Sequence, residues 1–316
     1  MGKKVFITGM GGYIASRLCT RLDHLDWCDS FHGMDVKKPL YKWDKGEFRK
    51  MDINSPDLAE WVKEISPDVL IHLAFIVDPI PDEDLMHRIN VDGTKNALDA
   101  ALAGGVSQLM VASSGTAYGV WPDNPVPLTE ADPLRAHPQF QYAREKTEID
   151  LMCQKFMEEH PEITMSIIRP CVVYGPLVNN YLSGLLSTPV VAVPRNFNPD
   201  LQFVHEDDVA GAITAIIEKQ GTGAFNVAPA DTITLMEAAE LTGRPIIRLP
   251  EKMMEAVIGL TWKLQLPFVN APPSLLDFMR WPWVLDNSRL TKELGYRFRY
   301  TTWETVEIML RAKRII

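Results

Sequence analysis

Lys4-Val5-Phe6-Ile7-Thr8-Gly9-Met10-Gly11-Gly12-Tyr13-Ile14-Ala15 is the stretch on which the reading of this chain turns. Val5, Phe6 and Ile7 form the short apolar run of a strand buried on both faces, and the glycine-rich segment after Thr8 breaks it before a helical pattern begins. A strand, a glycine turn and a helix N-terminus make a cradle for a pyrophosphate, because the backbone can approach closely and the helix offers free N–H groups. Gly9, Gly12 and Ala15 stand at the spacing G-x-x-G-x-x-A, and a purely structural turn remains the alternative for these residues alone. Asp35 closes a second apolar-ended segment, Phe31 to Met34, where a ribose-binding carboxylate is expected, ~20 residues past the turn.

Outward from this turn, strand and helix alternate. Helical spacing runs from Tyr13 to Asp23, Ser55-Pro56 opens a helix through Ile65, and Val69 to Ala74 is a continuous apolar strand. A long helix is predicted over Asp84 to Ala103, a strand over Gln108 to Ser114, and a helix over Gln139 to Glu159 that carries Tyr142 and Lys146 on one face. The strand Thr164 to Arg169, the strand Gln202 to His205, the helix Asp207 to Lys219 capped by Asp207 or Asp208, and the strand Phe225 to Ala228 follow. Beyond Ala230 come short helices and prolines, with an amphipathic stretch from Glu251 to Leu264 and a breaker at Pro267 to Pro273. Such alternation predicts a doubly wound α/β fold with a parallel sheet and ligands at the carboxyl ends of its strands.

Composition narrows the partners. A net charge of −9 argues against nucleic acid and against an acidic membrane surface. Cys19, Cys28, Cys153 and Cys171 have no C-x-x-C spacing and read as reduced core residues. The first strand begins at once and no apolar run reaches the length of a membrane span, so a cytoplasmic location is expected.

With Tyr142-Ala143-Arg144-Glu145-Lys146 in view, the chain resembles the extended branch of the short-chain dehydrogenase/reductase superfamily. The motifs that carry the resemblance are Thr8-Gly9 with Gly12-Tyr13-Ile14-Ala15, Asp52-Ile53, His72-Leu73-Ala74, Asn90-Val91 with Gly93-Thr94, Ser113-Ser114, Tyr142 with Lys146, Arg169-Pro170, Tyr174-Gly175-Pro176, and Phe203 through Ala210. Their order and spacing together are specific, although each alone is weak. The chemistry is intelligible without the name: oxidising a secondary alcohol needs a base at the carbinol oxygen, and a tyrosine, with pKa ~10, needs neighbouring positive charge to serve.

The resemblance implies a Rossmann-type domain from residues 1–170 plus about 201–230, and a smaller substrate domain from about 171–200 and 231–316. It implies NAD as cofactor, held by Gly9, Gly12, Tyr13, Ile14, Asp35, Asp52, Ile53, Leu73, Ala74, Phe75, Tyr142, Lys146 and Pro170. Asp35 favours NAD over NADP, since a carboxylate repels the extra phosphate, while Lys37 and Lys38 blunt that inference. For Asp52, a plain turn carboxylate stays open. Catalysis falls to Ser114, which orients the oxygen, Tyr142, which exchanges the proton, and Lys146, which lowers the tyrosine pKa and holds the ribose. Ser113 is the alternative if the register slips by one.

Val77, Ser114, Thr116, Val172 and Tyr181 are the expected substrate contacts, with no metal site. His72 reads as a satisfied core histidine, Asn90 as a structural tie to the active-site rim, and His205 as structural. Relative to the nucleotide-sugar epimerases of this branch, Val172 replaces an expected asparagine and Leu201-Gln202 an expected arginine, and both changes remove polar groups a sugar nucleotide would use. The chain therefore looks closer to the hydroxysteroid-dehydrogenase and alcohol-reductase side, with Phe75, Ile76, Val77, Val178, Tyr181 and Leu182 offering an apolar wall and Phe278, Trp281 and Trp283 reading as pocket lining or core. The expected activity is oxidoreduction of an apolar, phosphate-free small molecule; redox-neutral epimerisation of a sugar nucleotide is the alternative. The resemblance further implies a homodimer formed through the two long helices.

Overall fold

The computed structural model describes residues 2–264 and 272–316. Its elements run β1 (Lys3–Thr8), α1 (Tyr13–Leu22), β2 (Cys28–Asp35), β3 (Gly46–Lys50), α2 (Leu58–Ile65), β4 (Val69–His72), α3 (Glu83–His87), α4 (Gly93–Gly104), β5 (Gln108–Ala112), α5 (Gln141–Glu159), β6 (Thr164–Pro170), β7 (Val172–Tyr174), α6 (Tyr181–Leu185), β8 (Val191–Pro194), β9 (Asp200–Leu201), β10 (Phe203–His205), α7 (Glu206–Glu218), β11 (Gly223–Val227), β12 (Ile233–Thr234), α8 (Leu235–Glu240), β13 (Ile246–Leu249), α9 (Glu251–Lys263) and α10 (Thr302–Ala312).

Seven strands form one sheet in the order β11-β6-β5-β4-β1-β2-β3, and every pairing in it is parallel. This is the expected Rossmann-type architecture. The period-two alternation of strands explains why it needs helices on both faces. Val5, Ile7, Val69, Ile71 and Met110 pack on one side with Leu18 and Leu22 of α1 and Ile213 and Ile217 of α7. Phe6, Leu70, Leu109 and Val111 pack on the other with Leu58 and Val62 of α2, Leu98 of α4, and Ile149 and Cys153 of α5. Each fully buried side chain of this size contributes about 1.5–3 kcal/mol, so the two-sided core is what fixes the strand order.

Three small two-stranded sheets, β7 with β10, β9 with β12, and β8 with β13, surround a separate apolar cluster that includes Tyr174, Val193, Phe203, Leu235, Val306 and Leu310. Arg169 of β6 makes two 2.8 Å bonds to Asp150 of α5 and donates to the Tyr118 hydroxyl at 2.7 Å, all in the interior. That buried fork locks α5, the helix bearing Tyr142, to the sheet.

Several boundaries differ from expectation for identifiable reasons. The long helix expected over Asp84 to Ala103 is α3, a π-helical turn (Arg88–Asp92) and α4 in succession. α7 is capped by His205, whose Nδ1 accepts from the Asp207 N–H at 3.1 Å. Asp208, one of the two caps expected, instead accepts from the Tyr296 hydroxyl and the Arg299 and Tyr300 amides. α2 starts at Leu58 because Ser55 accepts from the Asp57 amide in a preceding turn. Of the breaker at Pro267 to Pro273, residues up to 271 lie outside the described residues. All four cysteines are buried with free thiols. Among the described residues no helix is long and apolar enough to cross a membrane, and no group of three His, Cys, Asp or Glu is placed to hold a metal ion.

Candidate active site

The glycine turn is built for close approach. Gly9 has φ +76°, and a Cβ there would lie 2.6 Å from the Ala74 amide nitrogen and the Leu73 carbonyl, so a side chain would collide with backbone. Gly11, which sequence reasoning did not single out, is equally constrained, for a Cβ would strike the Lys37 carbonyl oxygen. Its amide donates to Asp35 Oδ2 at 3.0 Å, while the Lys37 amide donates to Oδ1 at 2.9 Å. Each carboxylate oxygen keeps a lone pair for a further donor such as a ribose hydroxyl. Gly12 caps α1 without a side-chain bond, and the first turn holds no acidic residue. The N-terminal amides and the positive end of the helix dipole are thus available to an anion. A dinucleotide fits this cradle.

Asp52 serves a local turn. It is exposed, and its Oδ1 accepts from the Asn54 amide at 2.8 Å. It lines a groove apart from the catalytic cavity, with Met51, Arg88 and Asp92, while Ile53 is buried against Gly93. The side chains of Lys37 and Lys38 are solvated.

His72 is satisfied on both nitrogens. The Thr94 hydroxyl donates to the Asn90 carbonyl at 2.6 Å, so it accepts from His72 Nε2 at 3.0 Å, which leaves Nδ1 to accept from Thr8 Oγ1 at 2.7 Å. Thr8 Oγ1 in turn accepts from the Leu73 amide at 3.2 Å. Neutral imidazole thereby ties the ends of β1 and β4 together, directly beneath Gly9. Burial holds its pKa down to about 3. Asn90, presented by the π-helical turn, bonds both the amide and the carbonyl of Ile76 and donates to Glu145 at 2.8 Å, joining the active-site rim to α5.

Ser114, Tyr142 and Lys146, the three residues expected to act in catalysis, line one cavity at the carboxyl edge of the sheet. Ser114 begins the short 3-10 turn Gly115–Tyr118, and its Oγ accepts from the Thr116 amide at 3.2 Å and the Thr116 hydroxyl at 2.9 Å. With both bonds arriving, its own proton is free, and the Ser114 hydroxyl favours ionisation of Tyr142. Ser113 instead reaches the Lys146 carbonyl on α5, at 3.4 Å. Lys146 Nζ donates to the Ala112 carbonyl at 2.7 Å and lies 3.0 Å from the centre of the Phe75 ring.

Burial governs the titration of both partners. It pushes the Tyr142 phenol well above its ordinary value, the Glu145 carboxylate pushes the same way, and the Ser114 bond opposes them. It also pulls the Lys146 ammonium well below its usual range. Lys146 is held by the Ala112 carbonyl and the Phe75 ring, and its ammonium lies farther away, 5.7 Å, from the centre of the Tyr142 ring.

One cavity gathers Gly9, Gly12, Tyr13, Ile14, Leu73, Phe75, Val77, Ser114, Thr116, Tyr142, Lys146, Pro170, Val172 and Tyr181, whereas Asp35, Asp52, Ile53 and Ala74 lie outside it. Ser113, Asn180, Leu182 and Trp283 are also in its wall. Sequence reasoning placed Leu182 and Trp283 as candidates and missed Asn180, whose side-chain Oδ1 caps α6 by accepting from the Ser183 amide; an asparagine at the N-cap of α6 was the available signal. Among the described residues that line this cavity, Lys146 is the sole charge-bearing side chain.

Comparison with known proteins places the family and the fold. The model of the NAD dependent epimerase/dehydratase family matches residues 5–228. A UDP-glucose 4-epimerase of Mycolicibacterium smegmatis is 26% identical over 93% of each chain, and an uncharacterized protein of Mycobacterium tuberculosis is 24% identical over 98% of this chain and 84% of its own. Among solved structures, the NAD+ complex of the Bordetella bronchiseptica enzyme WbmH aligns with TM-score 0.77 and 20% identity over 99% of both chains. The dTDP-glucose 4,6-dehydratase of Bacillus anthracis with NAD aligns with TM-score 0.76 and 16% identity, over 99% of this chain and 97% of that one. At these identities the structural likenesses establish the fold.

Proposed function

Since the chain belongs to the NAD dependent epimerase/dehydratase family, with NAD as its cofactor, we propose that it is an oxidoreductase interconverting a secondary alcohol and a ketone on an apolar, phosphate-free substrate. The observation that carries this reading is the charge distribution of the catalytic cavity, where Lys146 stands alone among the lining residues. A sugar nucleotide brings two phosphates beyond those the α1 amides would take from the dinucleotide, and these need donors or cations of their own. Gln202, where relatives of that type were expected to carry arginine, is buried with its amide donating to the Pro229 and Leu285 carbonyls and accepting from the Leu285 amide. Arg280 is engaged by Asp277, Glu251 and Glu255.

In this assignment Ser114 donates to the substrate oxygen, Tyr142 takes the hydroxyl proton at its phenolate oxygen, and Lys146 positions the nicotinamide ribose. NAD supplies the hydride acceptor and, when oxidised, a positive charge beside the phenol. Tyr142 needs that help, since burial alone keeps it protonated. Gly9, Gly12 and the amides of α1 would hold the pyrophosphate, and Asp35 the adenosine ribose.

Redox-neutral epimerisation is the second reading, favoured by the mycobacterial UDP-glucose 4-epimerase among the relatives. Cofactor retention separates the two. A dehydrogenase exchanges its cofactor at each turnover, so protein that is desalted and then unfolded is expected to release little NAD. Near-stoichiometric NAD, together with interconversion of UDP-glucose and UDP-galactose without added cofactor, would replace the first reading with the second.

A further inference from the structure

Behind the catalytic cavity lies a second cavity of about 80 Å³, and every side chain that lines it is aliphatic, aromatic or thioether. The two share Val172, Leu182 and Trp283, so these three side chains form the partition between them. Leu186, Leu235 and Ala238 belong to the second cavity alone. The hydroxyl of Tyr174, which also lines it, donates to the Leu182 carbonyl at 2.9 Å and is therefore spent within the protein.

Such a chamber rejects polar groups, because any donor or acceptor entering it would lose its bonds to water with nothing in return. Apolar cavities of this kind stay dry and take hydrocarbon. Its position matters as much as its chemistry: it opens behind Val172, and Val172 sits in the same cavity as Ser114 and Tyr142. We propose that this chamber is the subsite for the hydrocarbon arm of the substrate, a short alkyl chain or small ring attached to the carbon that is oxidised or reduced, and that Val172, Leu182 and Trp283 form the passage to it. The proposal deepens the alcohol–ketone reading and rests on it for its turnover arm.

The test is a homologous series of methyl ketones, from butanone to nonanone, measured both as substrates with NADH and as ligands of the protein–NADH complex. Filling the chamber gives roughly a four-fold gain per methylene in kcat/KM and in affinity until it is full, then a plateau. Ala238→Leu, which fills the chamber from α8, is expected to abolish the per-methylene gain across the series. Leu186→Ala, which enlarges it, moves the plateau to longer chains and keeps the proposal testable if Ala238→Leu does not fold. Turnover with a flat series, or a series that neither variant alters, overturns the proposal while the alcohol–ketone reading stands. Absence of turnover with a chain-length-dependent affinity that Ala238→Leu removes upholds the chamber and overturns that reading; absence of both turnover and chain-length-dependent affinity overturns both.

Discussion

Replacing His72 by asparagine is the perturbation whose consequence can be worked most fully from the structure. The imidazole is fully buried and neutral, clamped between Thr8 and Thr94, and its pKa is held down to about 3, against ~6.5 in an unfolded chain. Above the unfolded value both states bind no proton and the clamp is fully stabilising. As the pH falls through the window between the two values, the unfolded chain takes up a proton that the folded chain refuses, so stability declines by ~1.4 kcal/mol per pH unit. Between about pH 7 and about pH 5 the loss from this one group comes to roughly 2 kcal/mol. Asparagine keeps a donor and an acceptor but does not titrate. Urea unfolding of both proteins across this range is the assay, and the variant is expected to lose about 2 kcal/mol less than the parent on acidification, although it starts less stable. Equal pH dependence in the two proteins would refute the neutral clamp.

Three further outcomes follow from named contacts. Gly9→Ala forces a Cβ against the Leu73 and Ala74 backbone at a positive φ, a strain of about 1–3 kcal/mol, and calorimetry is expected to show NAD binding weakened roughly ten-fold or more. Thr116→Val removes one of the two bonds that orient Ser114; one neutral hydrogen bond is worth about 0.5–1.5 kcal/mol, so stopped-flow or steady-state measurements are expected to show kcat about five-fold lower with KM little changed. Asp150→Ala leaves Arg169 charged and buried beneath α5, and chemical denaturation is expected to register a loss of about 3–5 kcal/mol.

Local chemistry was the legible part of the sequence. The apolar triplet before Gly9 announced β1, the glycines announced the turn, and the four-residue spacing of Tyr142 and Lys146 placed both on α5. Long-range contacts were less so. Gly11 looks like any turn glycine until Lys37 is folded over it, and no sequence spacing shows that the Thr116 hydroxyl, which lines the cavity, donates to Ser114. The Phe75 ring packed at the Lys146 ammonium, 71 residues away in the chain, is another such contact. The apolar chamber behind Val172 is assembled from β7, α6, β9, β10, α8 and the segment after residue 272, and no window of sequence contains it.

The proposed net alcohol–ketone oxidoreduction at Tyr142 is tested most directly by the NADH formed per enzyme with an apolar secondary alcohol and excess NAD. Many equivalents from the parent protein, and a rate at least about a hundred-fold lower in Tyr142→Phe that still binds NAD, is the predicted result. A Tyr142→Phe protein that turns over at the parent rate, or a parent that forms no NADH from any such alcohol while it interconverts sugar nucleotides, would contradict it.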